Sequence, residues 1–274
     1  MYAGFITPKR VVKSAGIHQR LDTAAYKMIN HYLPDGAFPT LADILGFEGY
    51  NGPDGLKSKT GLKPHTKDDA GPSHMYDPVN DEGDVPGHIQ THYEGLVSCL
   101  AKGDQVRAAF EAAWLAHYIG DGLTPAHHWP LEEKLAEAAT TTAAKLVRGD
   151  VTKATAFVQK NWAIWGAKGH MSTHFNFEMG VAFALLLFPI RPLFSDTELA
   201  RARSLGPIEY FKNEAREVAG LELYERFYRE GWNNDIATIV KKTLAPKVAR
   251  AIGLIWLLAL LEAGQMLVTG EPSA

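Results

Sequence analysis

The chain has 274 residues, is 46% apolar and 22% charged, and carries a net charge of −3 with a pI of about 6.4. These values describe an ordinary globular chain and exclude a dedicated duplex-DNA binder built on a broad basic face. Cys99 is the only cysteine, which excludes an internal disulfide and a cysteine-based zinc knuckle, while histidine, at eleven residues, is the informative count.

The N-terminus, MYAGFITPKRVVKSAGIHQ, has basic residues but no apolar core of signal-peptide length. The longest apolar run, residues 251–261, is too short to span a bilayer and suits a buried helix. The expectation is a soluble, cytoplasmic protein without a transmembrane segment. In chain order, Ile17, Leu21, Ala24, Ala25, Met28, Ile29 and Tyr32 recur at three- and four-residue steps, which predicts a helix over 17–33 that Pro34 ends. A short helix over 41–45 follows. Residues 46–87 are rich in Gly, Pro, Asp and Asn and read as a long surface loop, a feature that is uncommon in compact domains and often functional.

Helical patterns resume over 89–100 and 104–122, with Asp104 as N-cap and Gly122 and Pro125 as stop signals. Pro130 opens a run to 147. Further runs cover 150–165, 169–188, 195–205, 207–229 and 234–266, the last broken by Pro246. Sustained period-two alternation is missing and the connections after residue 100 are short. The reading is an all-α single-domain helical bundle spanning the whole chain, with its core at about 15–265.

Residues four apart on an α-helix share a face, so a His and a carboxylate at that spacing reach one metal ion or simply hydrogen-bond each other. Chance alone gives roughly one His-x-x-x-acid pair at this composition. The sequence holds six: His18/Asp22, His31/Asp35, His65/Asp69, His117/Asp121, His128/Glu132 and His174/Glu178. His31/Asp35 straddles Pro34 and reads as a solvated helix end. Two pairs stand out. Asp121 lies among Trp114, Leu115, Tyr118, Ile119 and Leu123, and Glu178 lies on a markedly apolar helix. A carboxylate in such company requires a partner or a metal. From spacing alone, metal ligation and structural pairing are equal readings.

The block His117-Tyr-Ile-Gly-Asp121-Gly-Leu-Thr-Pro-Ala-His127 resembles the signature of the bacterial zinc-dependent phospholipase C family, whose superfamily includes single-strand-specific nucleases. Four more segments resemble that family in the same order: the helix beginning His18-Gln-Arg-Leu-Asp, the loop Ser73-His74-Met-Tyr-Asp-Pro, the pair His174-Phe-Asn-Phe-Glu178, and the apolar C-terminal helix around Trp256. The resemblance implies a cleft holding two or three zinc ions. His74, His117 and Asp121 would hold one, with an aspartate from the preceding loop, Asp69 or else Asp68. Asp121 would bridge to a second ion shared with His18, and His127, His174 and Glu178 would hold a third. It also implies phosphodiester hydrolysis, in which a metal-activated hydroxide attacks phosphorus and Asp69 or Asp68 orients or deprotonates the water.

The sequence departs from the family in two places. Secreted members complete the ion of the early His with an N-terminal Trp, which this chain lacks, so His92 or His88, four apart on one helix, is the expected substitute. The loop aspartate is displaced as well: Asp69 and Asp68 lie only five and six residues before His74. His128 follows His127 directly and would sit at the cleft rim or pair with Glu132. Three functional readings follow: a phospholipase C-like phosphodiesterase acting on a phosphodiester, a phospholipid at a membrane surface included; a nuclease stacking bases on Tyr76, Trp129, Trp162 or Trp165; and a non-catalytic bundle braced by metal. The pair His-x-x-x-Glu favours the first. The oligomeric state is not legible.

Overall fold

The computed structural model describes residues 16–49, 52–53, 74–128 and 169–265, with isolated positions 140, 144, 147, 148, 152, 155 and 166. The predicted runs over 130–147 and 150–165 fall almost wholly outside these residues. The fold is all-α, with one small hairpin. In order, α1 is Ile17–Ile29, followed by a 3₁₀ turn over Asn30–Tyr32; α2 is Leu41–Gly46; strands β1 (Tyr76–Asp77) and β2 (Glu82–Gly83) pair antiparallel. Then come α3 (Val85–Lys102), α4 (Gln105–Gly122), α5 (Pro125–His128), α6 (His170–Leu185), α7 (Asp196–Ala219), α8 (Leu223–Glu230), α9 (Asn234–Ile239) and α10 (Ala245–Glu262).

Two expectations change here. The stretch 46–87 is not irregular throughout: residues 76–83 form the hairpin and α3 already begins at Val85. Pro246 does not break the last helix. A π-turn over Val240–Leu244 absorbs the change and places Pro246 in the first turn of α10, where its missing N–H costs nothing. The whole run Asn234–Glu262 has the length and hydropathy of a bilayer-spanning helix, but 78% of its most apolar stretch is buried inside the protein.

That burial defines the core. Every side chain from Ala251 to Leu260 on α10 is enclosed, and the Trp256 indole N–H donates to the Ala112 carbonyl of α4 at 3.1 Å. α1 and α7 pack against α10, and α3 and α4 pack against each other and against α10. α4 is buried from Ala108 to Gly122 without a polar stripe, so its His117 and Asp121 necessarily lie inside the protein. Asp104 caps α4 as the sequence predicts, its carboxylate accepting from the Arg107 N–H. Gly95 lets α3 approach α4: a Cβ there would sit 2.7 Å from the Glu111 carboxyl carbon. The buried Glu111 accepts from Arg107 Nε and from His92 Nδ1, each at 2.7 Å. A charge inside the α3–α4 seam is thereby held by two donors.

Candidate metal centre

The centre forms where four segments meet the C-terminal half of α4. α4 contributes His117 and, one turn on, Asp121. α1 contributes His18, the chain after α2 contributes Glu48, the residue leading into β1 contributes His74, and α5 contributes His127. α6 contributes His174 and Glu178, again one turn apart.

Asp121 is the hub. Its Oδ2 accepts from His74 Nδ1 at 2.6 Å and lies 3.2 Å from His117 Nε2; its Oδ1 lies 3.3 Å from His18 Nε2 and 3.5 Å from His127 Nε2. His18 and His117 stack with ring centroids 3.9 Å apart. His117 reaches the other way too, its Nδ1 lying 3.5 Å from Glu48 Oε2. Beyond His127, Glu178 Oε1 lies 3.0 Å from His127 Nε2 and 3.3 Å from His174 Nε2. Three groups of donors result: His18–Glu48–His117, His74–His117–Asp121 and His127–His174–Glu178, each with its ligand atoms within 4.8 Å of one another.

The electrostatics follow from this packing. Burial disfavours the Asp121 anion, but the surrounding His127, His117 and His18 outweigh it and hold the carboxyl well below the usual carboxylate range. Glu178 is held low in the same way, against its burial, by hydrogen bonds from His127 and His174. Burial pushes His18 and His127 down, favouring the neutral imidazoles that ligate metals. His127 Nδ1 donates to the His74 carbonyl at 2.9 Å. With Nδ1 already donating, Nε2 can donate to Glu178 only in the protonated ring; in the neutral ring it is a lone pair facing Glu178 and Asp121, an arrangement that repels unless a cation lies between. Both oxygens of Asp22 and Oε1 of Glu48 are buried without a hydrogen-bond partner. Burial, then the neighbouring Glu48, raise the Asp22 carboxyl well above its ordinary range, with His117 opposing. Imidazoles and unsatisfied buried carboxylates together are a donor set that fits zinc.

Neither protein-family models, curated proteins nor solved structures give a match to this chain.

The structure brings together His18, His74, His117, Asp121, His127, His174 and Glu178, all seven being expected ligands. Asp68 and Asp69 lie outside the described residues, as do Trp129, Trp162, Trp165, His65 and Glu132. Among the described residues His88 and His92 fall in none of the three donor groups. α3 turns them onto Tyr118, against which His88 stacks at 4.4 Å and His92 at 5.6 Å, while His92 is tied to Glu111. Tyr118 adjoins His117 but lies on the next face of α4, so these rings back the centre rather than enter it. The carboxylate beside His18 and His117 comes instead from Glu48. Its one sequence signal was an isolated acid between Phe47 and Gly49. Asp22 was visible only as the i+4 partner of His18. Tyr76 is no stacking platform: it is 1% exposed and its hydroxyl donates to Asp81 at 2.8 Å. His128 points away from the centre, its Nε2 donating to the Gly122 carbonyl at 2.7 Å, and burial pushes its pKa down to about 4. His31 and Asp35 are exposed at the end of α1, as expected.

Proposed function

We propose that this chain is a zinc-dependent phosphodiester hydrolase, similar in chemistry to the phospholipase C family. The observation that carries the reading is the convergence of four histidines from four segments on the single carboxylate Asp121, with a second carboxylate, Glu178, one histidine further out. Zinc bound to such donors lowers the pKa of water towards neutrality and neutralises charge on phosphoryl oxygens.

The chain's own residues divide the remaining work. Asp121 and Glu178, held ionised, keep the imidazoles oriented and offset the charge of the cations. The His74 carbonyl fixes the tautomer of His127. Burial grades outward: the side chains of His18, His117 and Asp121 are at most 1% exposed, whereas those of His174 and Glu178 are each 14% exposed. A sealed inner group suits an ion that is held, and a half-open outer group leaves room for a reacting diester. This gradient favours catalysis over a purely bracing role. His117 belongs to two groups through different ring nitrogens, so two or three ions are expected per chain.

The test combines metal analysis with a substrate panel of a chromogenic phosphocholine diester, a bis-aryl phosphodiester and single-stranded DNA. The expected result is bound zinc and turnover of a small diester. Bound zinc without turnover of any of the three favours the metal-braced bundle, and purified chain that takes up no zinc overturns both readings.

A further inference from the structure

The centre leaves one feature of α6 unused. Downstream of Glu178 the sequence Val181-Ala-Phe-Ala-Leu-Leu-Leu-Phe-Pro-Ile-Arg-Pro-Leu-Phe194 is apolar apart from Arg191. Its inward side chains, Phe177, Val181 and Leu185, enter the core, as they should on an amphipathic helix. Beside this stripe two large apolar side chains reach solvent as well. Phe175 and Leu186 are exposed, while Met179 and Ala182 between them are partly buried. At the tip, Phe183 is 69%, Leu187 92% and Leu193 80% exposed. Single exposed apolar residues need no explanation, but several large ones at one helix end mark a binding surface. The turn is pinned: the Arg20 guanidinium of α1 donates to the Leu186 carbonyl at 2.9 Å and to the Phe188 carbonyl at 2.8 Å.

Beside this tip lies a depression of about 420 Å³ lined by Phe188, Pro189, Arg191, Lys241, Lys242 and Pro246. All three charged groups in it are cations, and Lys241 Nζ lies 5.9 Å from the Phe188 ring centroid. The two segments that build it contain no acidic residue between them, and Arg191, Lys241 and Lys242 form no ion pair among the described residues. Residues 179–195 hold only Arg191, and between Asp235 and Glu262 the charged residues are Lys241, Lys242, Lys247 and Arg250, of which Lys247 and Arg250 are paired with Glu198, Glu214 and Glu217 of α7 and do not add to the patch. The net charge of the chain is −3, so this concentration of positive charge is local.

We propose that the tip of α6 and the adjoining basic depression form a docking surface for a bilayer containing anionic phospholipid. Phe183, Leu186, Leu187 and Leu193 enter the headgroup–acyl boundary, while Arg191, Lys241 and Lys242 meet the lipid phosphates. Apolar side chains backed by cations are complementary to that interface and to neither bulk water nor a neutral apolar partner. Phe183 lies five residues beyond Glu178, roughly 7.5 Å along the helix axis and about 140° round it, so the docking face and the metal centre lie on different sides of α6. The surface stands on its own observations; that the hydrolysed diester is itself a phospholipid rests on the function proposed above.

The experiment is co-sedimentation of the full chain with vesicles of phosphatidylcholine alone and of phosphatidylcholine mixed with phosphatidylglycerol, with inorganic phosphate as competitor. Sedimentation velocity without lipid and turnover of the soluble bis-aryl diester run alongside. Binding is expected to the anionic vesicles, to fall about tenfold or more in Leu187→Glu, and to fall about fivefold for each charge removed in Lys241→Gln and Lys242→Gln. At matched ionic strength, phosphate should not displace the protein. These surface variants should leave soluble-diester turnover unchanged. Equal binding of wild type and Leu187→Glu, or displacement by phosphate alone, overturns the proposal. So does a lipid-free dimer that Leu187→Glu converts to monomer, since a second copy would then be what covers the tip. Absence of diester turnover with vesicle binding intact counts against the proposed hydrolase and not against the docking surface.

Discussion

Asp22 gives the sharpest test of whether cations belong in this centre. It lies one turn after His18 on α1, fully enclosed, with neither oxygen hydrogen-bonded and with Glu48 as a neighbouring acid. Asp22→Asn keeps the shape and removes the ionisable group. In chelated protein the wild-type carboxyl must take up a proton on folding at neutral pH, a cost the amide does not carry, so the substitution gains about 1–3 kcal/mol. For a domain of this size each kcal/mol raises Tm by about 2–4 °C. Zinc reverses the balance. At a free concentration of about 100 times Kd, a bound ion stabilises the wild type by about 2.7 kcal/mol, and a 100-fold weaker site in the variant would retain only about 0.4 kcal/mol. The advantage of Asp22→Asn should therefore shrink by about 2.3 kcal/mol on adding zinc. Thermal melts of both proteins, with chelator and across a zinc titration, read out the whole cycle. A variant less stable than wild type in chelator, or a difference that ignores zinc, would refute the argument that Asp22 and its neighbours await a cation.

The other predictions probe separate parts of the molecule. Glu178→Gln should lower the zinc content and abolish diester turnover together, as read by metal analysis and assay; full occupancy with intact turnover removes Glu178 from the ligand set. Gly180→Ala would bring a Cβ within 2.2 Å of the Trp232 ring. It should cost about 1–3 kcal/mol in denaturant melts and weaken zinc uptake by displacing α6. Glu111→Ala strips His92 and Arg107 of their shared acceptor inside the α3–α4 seam and should cost about 3–5 kcal/mol in the same measurement. Asp81 accepts from Lys212 and Tyr76, and these bonds hold its carboxyl below the ordinary range. Its contribution is present above the unfolded value and lost as pH falls through the folded one. Asp81→Asn, at a residue already in the left-handed region with φ 59°, should remove that acid slope from a Tm–pH profile and cost less than about 1 kcal/mol at neutral pH.

The helical architecture and the two one-turn His–carboxylate pairs are legible in the sequence because both are periodic, whereas His18, His74 and His127 are singled out as candidate donors only through the family resemblance. Apolar steps of three and four place α1, α3, α4 and α10, and the same period sets His117 beside Asp121 and His174 beside Glu178. Composition cannot say which helix faces meet, so the tertiary structure decided the rest. His88 and His92 have ligand spacing, but packing of α3 on α4 spends them on Tyr118 and Glu111. Glu48 belongs to no pair and no helix, yet the turn after α2 carries it to His117 across 69 residues of chain. The exposed apolar tip of α6 reads in one dimension as more core, like the inner face of the same helix. Periodicity is a local property of a helix; convergence and exposure depend on what folds against it.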